Sequence, residues 1–208
     1  MTNLHSLGIL NQDGQRLKNK NKEEMRNPYM TREHSEELGL VQIYMGDGKG
    51  KTTAALGLAL RAAGWGFTVG IVQFMKGWPH YGELVSLSRI PEIKIIQTGR
   101  PDFVDKTAPL QVDFLEAQRG LEIAEKWIMG GQFNIVILDE INVALDYGLL
   151  KAERLLALLK KRTSHVEVVL TGRNPPQILI DYADLVTEMK EIRHPFQKGI
   201  YGRKGVEY

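Results

Sequence analysis

From residue 40 onward the chain alternates two kinds of apolar pattern. Short runs rich in β-branched residues occur at "LVQIYM" (40–45), "TVGIVQFM" (68–75), "IKIIQ" (93–97), "FNIVILDE" (133–140), "VEVVLTG" (166–172) and "DLVTEM" (184–189), each bounded by Gly, Pro or polar turns. That combination predicts strands. Longer segments at 51–64, 109–130, 149–162 and 175–182 read as helices. Strands alternating with helices predict an α/β fold, a mostly parallel sheet with helices on both faces. The closing stretch "FQKGIYGRKGVEY" (196–208) reads as a Gly-punctuated loop or an edge strand.

Residues 1–38 break this pattern. They are polar, with six acidic and six basic side chains and few aliphatics, too little apolar surface to fold alone. They are read as a polar tail or as an arm that orders on a partner subunit, with residues 39–208 forming one domain.

Composition narrows the chemistry by exclusion. There is no cysteine, so disulfides, thiolate metal sites and Cys nucleophiles drop out, and a reducing compartment fits. The 27 basic and 25 acidic residues nearly balance, whereas nucleic-acid binding asks for a concentrated basic face. No stretch approaches the apolar length of a membrane span, so a cytoplasmic protein with no membrane or nucleic-acid partner is expected. The histidines stand singly, with no i, i+4 pair to suggest a metal cluster.

Against this background "MGDGKGKTTA" (45–54) carries the strongest signal. A predicted strand runs into "GDGKGK", and "TTAALGLALRAAG" then starts a helix, with Gly64 suited to its C-terminal cap. Such a strand–loop–helix unit is the context a phosphate-binding loop requires. Glycines let backbone N–H groups approach an anion, and the helix N-terminus adds partial positive charge. The candidate cradle is Gly46, Asp47, Gly48, Lys49, Gly50, Lys51, Thr52 and Thr53: Lys51 as a point charge on phosphate oxygens, the Thr52 hydroxyl as a Mg²⁺ ligand, Lys49 and Thr53 as secondary phosphate contacts. The alternative is a flexible glycine turn capped by threonine. One feature is unusual: only Asp47, Gly48 and Lys49 separate Gly46 from Gly50, one residue fewer than the common signature.

A second half-site follows from "NIVILDE". Asp139 and Glu140 close a buried strand at its carboxyl end, where open α/β sheets bind ligands. Either can hold Mg²⁺ directly or through water, and the other can act as a base. "VVLTGRNPP" places Arg173 beyond another strand as a phosphate contact or a solvated turn residue. "VQFMKGWPHYGE" brings Lys76, Trp78, Tyr81 and Glu83 to a third strand end, with packing as the default for its aromatics. These residues specify a nucleoside triphosphate with Mg²⁺ and leave the acceptor open among a kinase, an ATPase and a transferase using the adenosyl half. A nucleotide-dependent binding module that carries its ligand without turnover is a third class.

The whole pattern adds to this. "MGDGKGKTTAALGLALRAAGWG", "VGIVQFMKG", "GEL", "QTG", "NIVILDEIN", "VVLTGR" and "LVTEMKEIRHPFQKGIYGRKGVEY" resemble, in order and spacing from about Gly39 to Tyr208, the corrinoid adenosyltransferases (CobA/BtuR/CobO family). The short loop is that family's form of the phosphate loop. The resemblance implies a P-loop, RecA-like fold and transfer of the 5′-deoxyadenosyl group of ATP to the Co(I) of a reduced corrinoid, either cobalamin or cob(I)yrinic acid a,c-diamide, with release of triphosphate. It further implies ATP reversed relative to ordinary P-loop enzymes, a homodimer whose N-terminal segment covers the partner's site, and a reductase, of flavin type, as electron source. Carried over residue by residue, Gly46 to Thr52 cradle the triphosphate, Lys51 and Arg173 stabilise the leaving group, and Thr52 and Glu140 ligate Mg²⁺ with Asp139 behind them. The family often has a Phe-x-Trp pair after the "TG". Here "RPDFVDK" follows Thr98-Gly99, leaving Phe103 as the one nearby aromatic: either it replaces the pair from a shifted register on the corrin side, or the corrinoid is handled differently.

Overall fold

The structure, a computed structural model, describes residues 38–208. The expectations for the N-terminal tail or arm lie outside the described residues. Six strands form one sheet: β1 (Val41–Met45), β2 (Val69–Phe74), β3 (Ile93–Thr98), β4 (Ile135–Asp139), β5 (Glu167–Thr171) and β6 (Leu185–Glu188). The order is β3-β2-β4-β5-β1-β6 and every pairing is parallel. The α/β, P-loop-like expectation is met.

Burial explains why these runs became strands. Every residue of β2, β4 and β5 is buried, as a parallel sheet covered on both faces demands. Alternate side chains feed two cores. Val72, Phe74, Val136, Leu138, Val168 and Leu170 face one, and Val69, Ile71, Ile135, Ile137 and Val169 face the other. The edge strand β6 is exposed along its length.

Helices complete the layers. The second core is covered by α1 (Lys51–Gly64), whose Ala55, Ala59 and Ala62 form a small, buried face. Beside it lies α2 (Gly82–Leu87), contributing Leu87. On the other face sit α3 (Gln111–Gly130), α4 (Ile141–Asp146), α5 (Ala152–Lys160) and α6 (Gln177–Ile180). Trp127 of α3 packs edge-on against Phe133, with ring centroids 4.8 Å apart.

Two details depart from expectation, and a third settles between alternatives. The α1 helix ends with Gly64 still helical; the left-handed residue that closes it is Gly66, at φ 82°, so the capping role predicted for Gly64 passes two residues on. The segment expected as a helix over 149–162 becomes helical only at Ala152: Leu149 and Leu150 still belong to the turn that closes α4, where the Leu149 N–H donates to the Ala144 carbonyl, and both are buried. Residues 196–208 take the loop alternative, with a short 3-10 turn at Pro195–Lys198.

The topology points to one crevice. From β1 the chain leaves through α1 to β2, three places along the sheet, whereas β5 is followed by β6 on the far side of β1. Neighbouring strands whose connections depart in opposite directions open a cleft between their carboxyl ends. Those strands are β1 and β5, and the glycine loop stands at the carboxyl end of β1.

Candidate functional site

The loop between β1 and α1 turns on two left-handed glycines, Gly46 at φ 100° and Gly50 at φ 110°, the latter at the N-cap of α1. Gly48 serves a different need from the one expected. Its N–H donates to the Met189 carbonyl at 2.7 Å, and a Cβ there would lie 2.7–2.9 Å from backbone atoms of Met189 and Lys190. The backbone leaving β6 thus braces the loop from below. Lys51 curls across its own loop, its Nζ donating to the Gly46 and Gly48 carbonyls at 2.7 Å each. Burial lowers its pKa, and the charge of Glu140 opposes that shift. No acidic residue occupies the first turn of α1, which leaves the partial positive charge of the helix start uncancelled.

Asp139, at the end of β4, is fully buried and holds the site together. Its Oδ1 accepts from Thr52 Oγ1 at 2.8 Å and Thr171 Oγ1 at 2.7 Å. Its Oδ2 accepts from Lys76 Nζ at 2.7 Å and Gln73 Nε2 at 3.2 Å. Burial pushes this carboxyl up, but the Lys76 ammonium and the Thr171 and Thr52 hydroxyls more than offset it and hold it below the usual range. Lys76 moves the other way: burial lowers its pKa, and the Asp139 partner raises it further than burial takes away. An Asp–Lys pair was not derivable from spacing, since 63 residues separate the two. The signal available was that both stand at strand ends, and β2 and β4 prove to be neighbours.

Glu140 adopts a left-handed backbone at φ 61°, and its N–H donates to Thr171 Oγ1 at 2.9 Å. A non-glycine residue held there is uncommon, and Met75 and Asn174, also just past strand ends, share it at φ 55° and 50°. The turn takes Glu140 off the strand line and into the pocket wall. Burial, followed by the charge of Asp139, raises its pKa; Lys76, Lys51 and Arg173 counter only part of this. Thr52 and Glu140 line the same cavity and offer hard oxygen donors of the kind Mg²⁺ takes when phosphates supply the rest. Among the described residues no cluster of three or more His, Cys, Asp or Glu side chains could hold a metal alone.

These groups share a cavity of about 880 Å³. Its lining includes the loop from Asp47 to Thr53 with Lys76, Glu140 and Arg173, and also Tyr81, Phe103, Val104 and Tyr147; Lys76 Nζ stands 5.6 Å from the Tyr81 ring centre. Arg173 reaches back to the loop, its Nη2 donating to the Asp47 carbonyl at 3.3 Å. Phe103 stands at the rim, 98% exposed. Tyr81 lines the pocket, whereas Trp78 packs edge-on among His80, Tyr81 and Tyr208. Residues 205–208, which the motif reading left without a role, form part of the wall, and Glu207 pairs with Lys49 at 2.6 Å. No helix among the described residues is long and apolar enough to cross a membrane.

Comparison with known proteins follows the same outline. The profile of the ATP:corrinoid adenosyltransferase family (BtuR/CobO/CobP) matches residues 37–208. A corrinoid adenosyltransferase of Pseudomonas aeruginosa is 37% identical over 173 residues, 83% of this chain and 85% of that protein. One from Sinorhizobium is 37% identical over 176 residues, 84% of this chain and 82% of its own length. The corrinoid adenosyltransferase CobA of Salmonella typhimurium is 33% identical over 174 residues, covering 83% of this chain and 87% of that one.

Proposed function

Because this chain belongs to the ATP:corrinoid adenosyltransferase family, we propose that it transfers the 5′-deoxyadenosyl group of ATP to the Co(I) of a reduced corrinoid. The observation that carries the reading beyond family membership is the cavity itself. One cavity is lined both by a phosphate loop with Lys49, Lys51 and Arg173 and by the aromatic and aliphatic side chains of Tyr81, Phe103, Val104 and Tyr147.

The chemistry suits such a lining. Co(I) attacks the ribose C5′ with an electron pair and becomes Co(III) as the Co–C bond forms. The C5′–O bond breaks, and its pair leaves with the triphosphate. No proton is abstracted from an acceptor, so the protein's work is to align C5′ with cobalt and to stabilise charge on the leaving group. Lys51, freed from the Gly46 and Gly48 carbonyls, meets the triphosphate together with Lys49 and Arg173. Thr52 and Glu140 would hold Mg²⁺, whose charge offsets that of the phosphates. Asp139 accepts four hydrogen bonds, which suits it to orient Thr52 from behind. Phe103, at the rim, is placed on the corrin side. A cytoplasmic homodimer supplied with electrons by a flavin-type reductase completes the reading and rests on the family likeness.

The test is product identity. Protein incubated with ATP, Mg²⁺ and chemically reduced cobalamin should give a light-sensitive Co–C bond and inorganic triphosphate in equal amounts. ADP with orthophosphate would instead make this a phosphoryl-transfer enzyme using Glu140 as base, and binding without turnover would make it a carrier.

A further inference from the structure

The loop cations are all engaged within the chain, and one of their partners has no role in the reading above. Lys51 is bound to loop carbonyls and Arg173 to Asp47. Lys49 is bound to Glu207, which comes from the turn at 203–208. Its residues 205–208 line the cavity. Tyr208 packs on Trp78 of the β2–α2 connection, ring centroids 5.2 Å apart, while Glu207 reaches Lys49 of the phosphate loop.

Glu207 has a second cation. Arg203 holds it in a fork, with Nη2 to Oε1 at 3.0 Å and Nε to Oε2 at 3.1 Å, and the Arg203 N–H adds a third bond at 2.7 Å. Removing Lys49 therefore leaves the carboxylate paired. Lys49, in turn, sits 44% exposed, and ion pairs on a wet surface are weak and readily exchanged. An anchored carboxylate facing an exchangeable lysine is the arrangement of an internal competitor.

We propose that Glu207 competes with polyphosphate for Lys49, weakening retention of the triphosphate so that the product can leave the loop. Incoming polyphosphate takes Lys49 while Glu207 falls back on Arg203; on departure the carboxylate reclaims the lysine. The proposal rests on the reading of 46–52 as a polyphosphate cradle. It gives the turn at 203–208 a function in product release rather than in substrate capture.

The probe is inorganic tripolyphosphate with Mg²⁺, titrated calorimetrically into the full-length chain. Glu207→Gln keeps a side chain that accepts from Arg203 but removes the charge. It should tighten tripolyphosphate binding by about two- to tenfold, with the gain shrinking as salt is raised. In turnover the same variant should be inhibited by correspondingly lower tripolyphosphate. Lys49→Ala should weaken binding, and adding Glu207→Gln to it should change nothing further, because the competitor then has nothing to compete for. Unchanged or weaker binding by Glu207→Gln, or a gain that persists without Lys49, would overturn the proposal. Lys51→Ala separates the two levels. If it abolishes binding and Glu207→Gln has no effect, the cradle stands and the competition fails; if it binds as the parent does, the cradle reading fails and the competition with it.

Discussion

Lys76 Nζ lies 2.7 Å from Asp139 Oδ2, an ion pair joining the ends of neighbouring strands β2 and β4 with only 15% and 1% of the two side chains exposed. The same carboxylate receives the hydroxyl of Thr52 from the first turn of α1 and that of Thr171 from β5. One buried acid thus ties three strands and a helix start into a single polar unit beneath the pocket.

Lys76→Met should therefore be costly out of proportion to its size. Removing one member of a buried pair leaves the other uncompensated, at about 3–5 kcal/mol, and the residual exposure of Lys76 argues for the lower end. Asp139→Asn in the same chain should recover much of the loss. Denaturant midpoints of the two single variants and the double measure this, and a Lys76→Met penalty below about 1 kcal/mol would mean that water already screens the pair. The sign with pH is fixed: a carboxylate held low in the folded state contributes above its unfolded pKa of about 3.9 and loses that contribution as pH falls further. The penalty should shrink in acid.

Glu140 behaves oppositely. Its raised pKa means the folded protein binds that proton more tightly than the unfolded chain, so stability is fullest below about pH 4.3 and declines as pH rises through the raised value. Glu140→Gln should melt higher than the parent at pH 7 and at the same temperature at pH 4, each kcal/mol reading as about 2–4 °C. Mg²⁺ with ATP should reverse the ranking by stabilising the parent far more. Equal melting at pH 7 without ligand would show that the carboxylate is well solvated.

Thr171→Val keeps shape while deleting a donor to Asp139 and the acceptor for the Glu140 N–H. A loss of about 1–3 kcal/mol is expected. KM for ATP should rise as well, because Glu140 loses the bond that fixes its left-handed turn. An unaltered KM would assign Thr171 to folding alone.

Two glycines on the same segment should respond with opposite signs. Gly48→Ala drives a Cβ into the Met189 and Lys190 backbone, which cannot rotate away, so the loop must shift, at about 1–3 kcal/mol, and nucleotide affinity should fall. Gly57 of α1 is exposed, with nothing within 4 Å of an added Cβ, and Ala there should stabilise by about 0.5–1 kcal/mol. Thermal melts of both settle the contrast, and a harmless Gly48→Ala would show that β6 yields.

The central strands and long helices were legible because burial on both faces writes a continuous apolar run, and one-sided burial a periodic one; the edge strands β3 and β6 showed through their β-branched residues instead. α2 and α4 were not: each has six residues, too few to display a helical period, and α4 is buried nearly all round, so it lacks a polar face. In the site, the loop and the Asp139–Glu140 pair were visible as local strings. The parts that depend on which strands become neighbours were not: Lys76 on Asp139, Thr171 between the acids, and Glu207 on Lys49. For the same reason, Gly48 reads as an anion-facing glycine until β6 is seen beneath it.

The position of β5 has a metric consequence. It lies between β1, which delivers the glycine loop, and β4, which delivers the acidic pair. With neighbouring strands about 4.7–4.9 Å apart, the intervening strand fixes a gauge of roughly 9–10 Å between the two strand ends. Thr52 and Thr171 span that distance by converging on Asp139, without any backbone pairing between β1 and β4. The loop can therefore be reshaped, shortened by a residue as it is here, while the sheet keeps the same opening between the two strand ends.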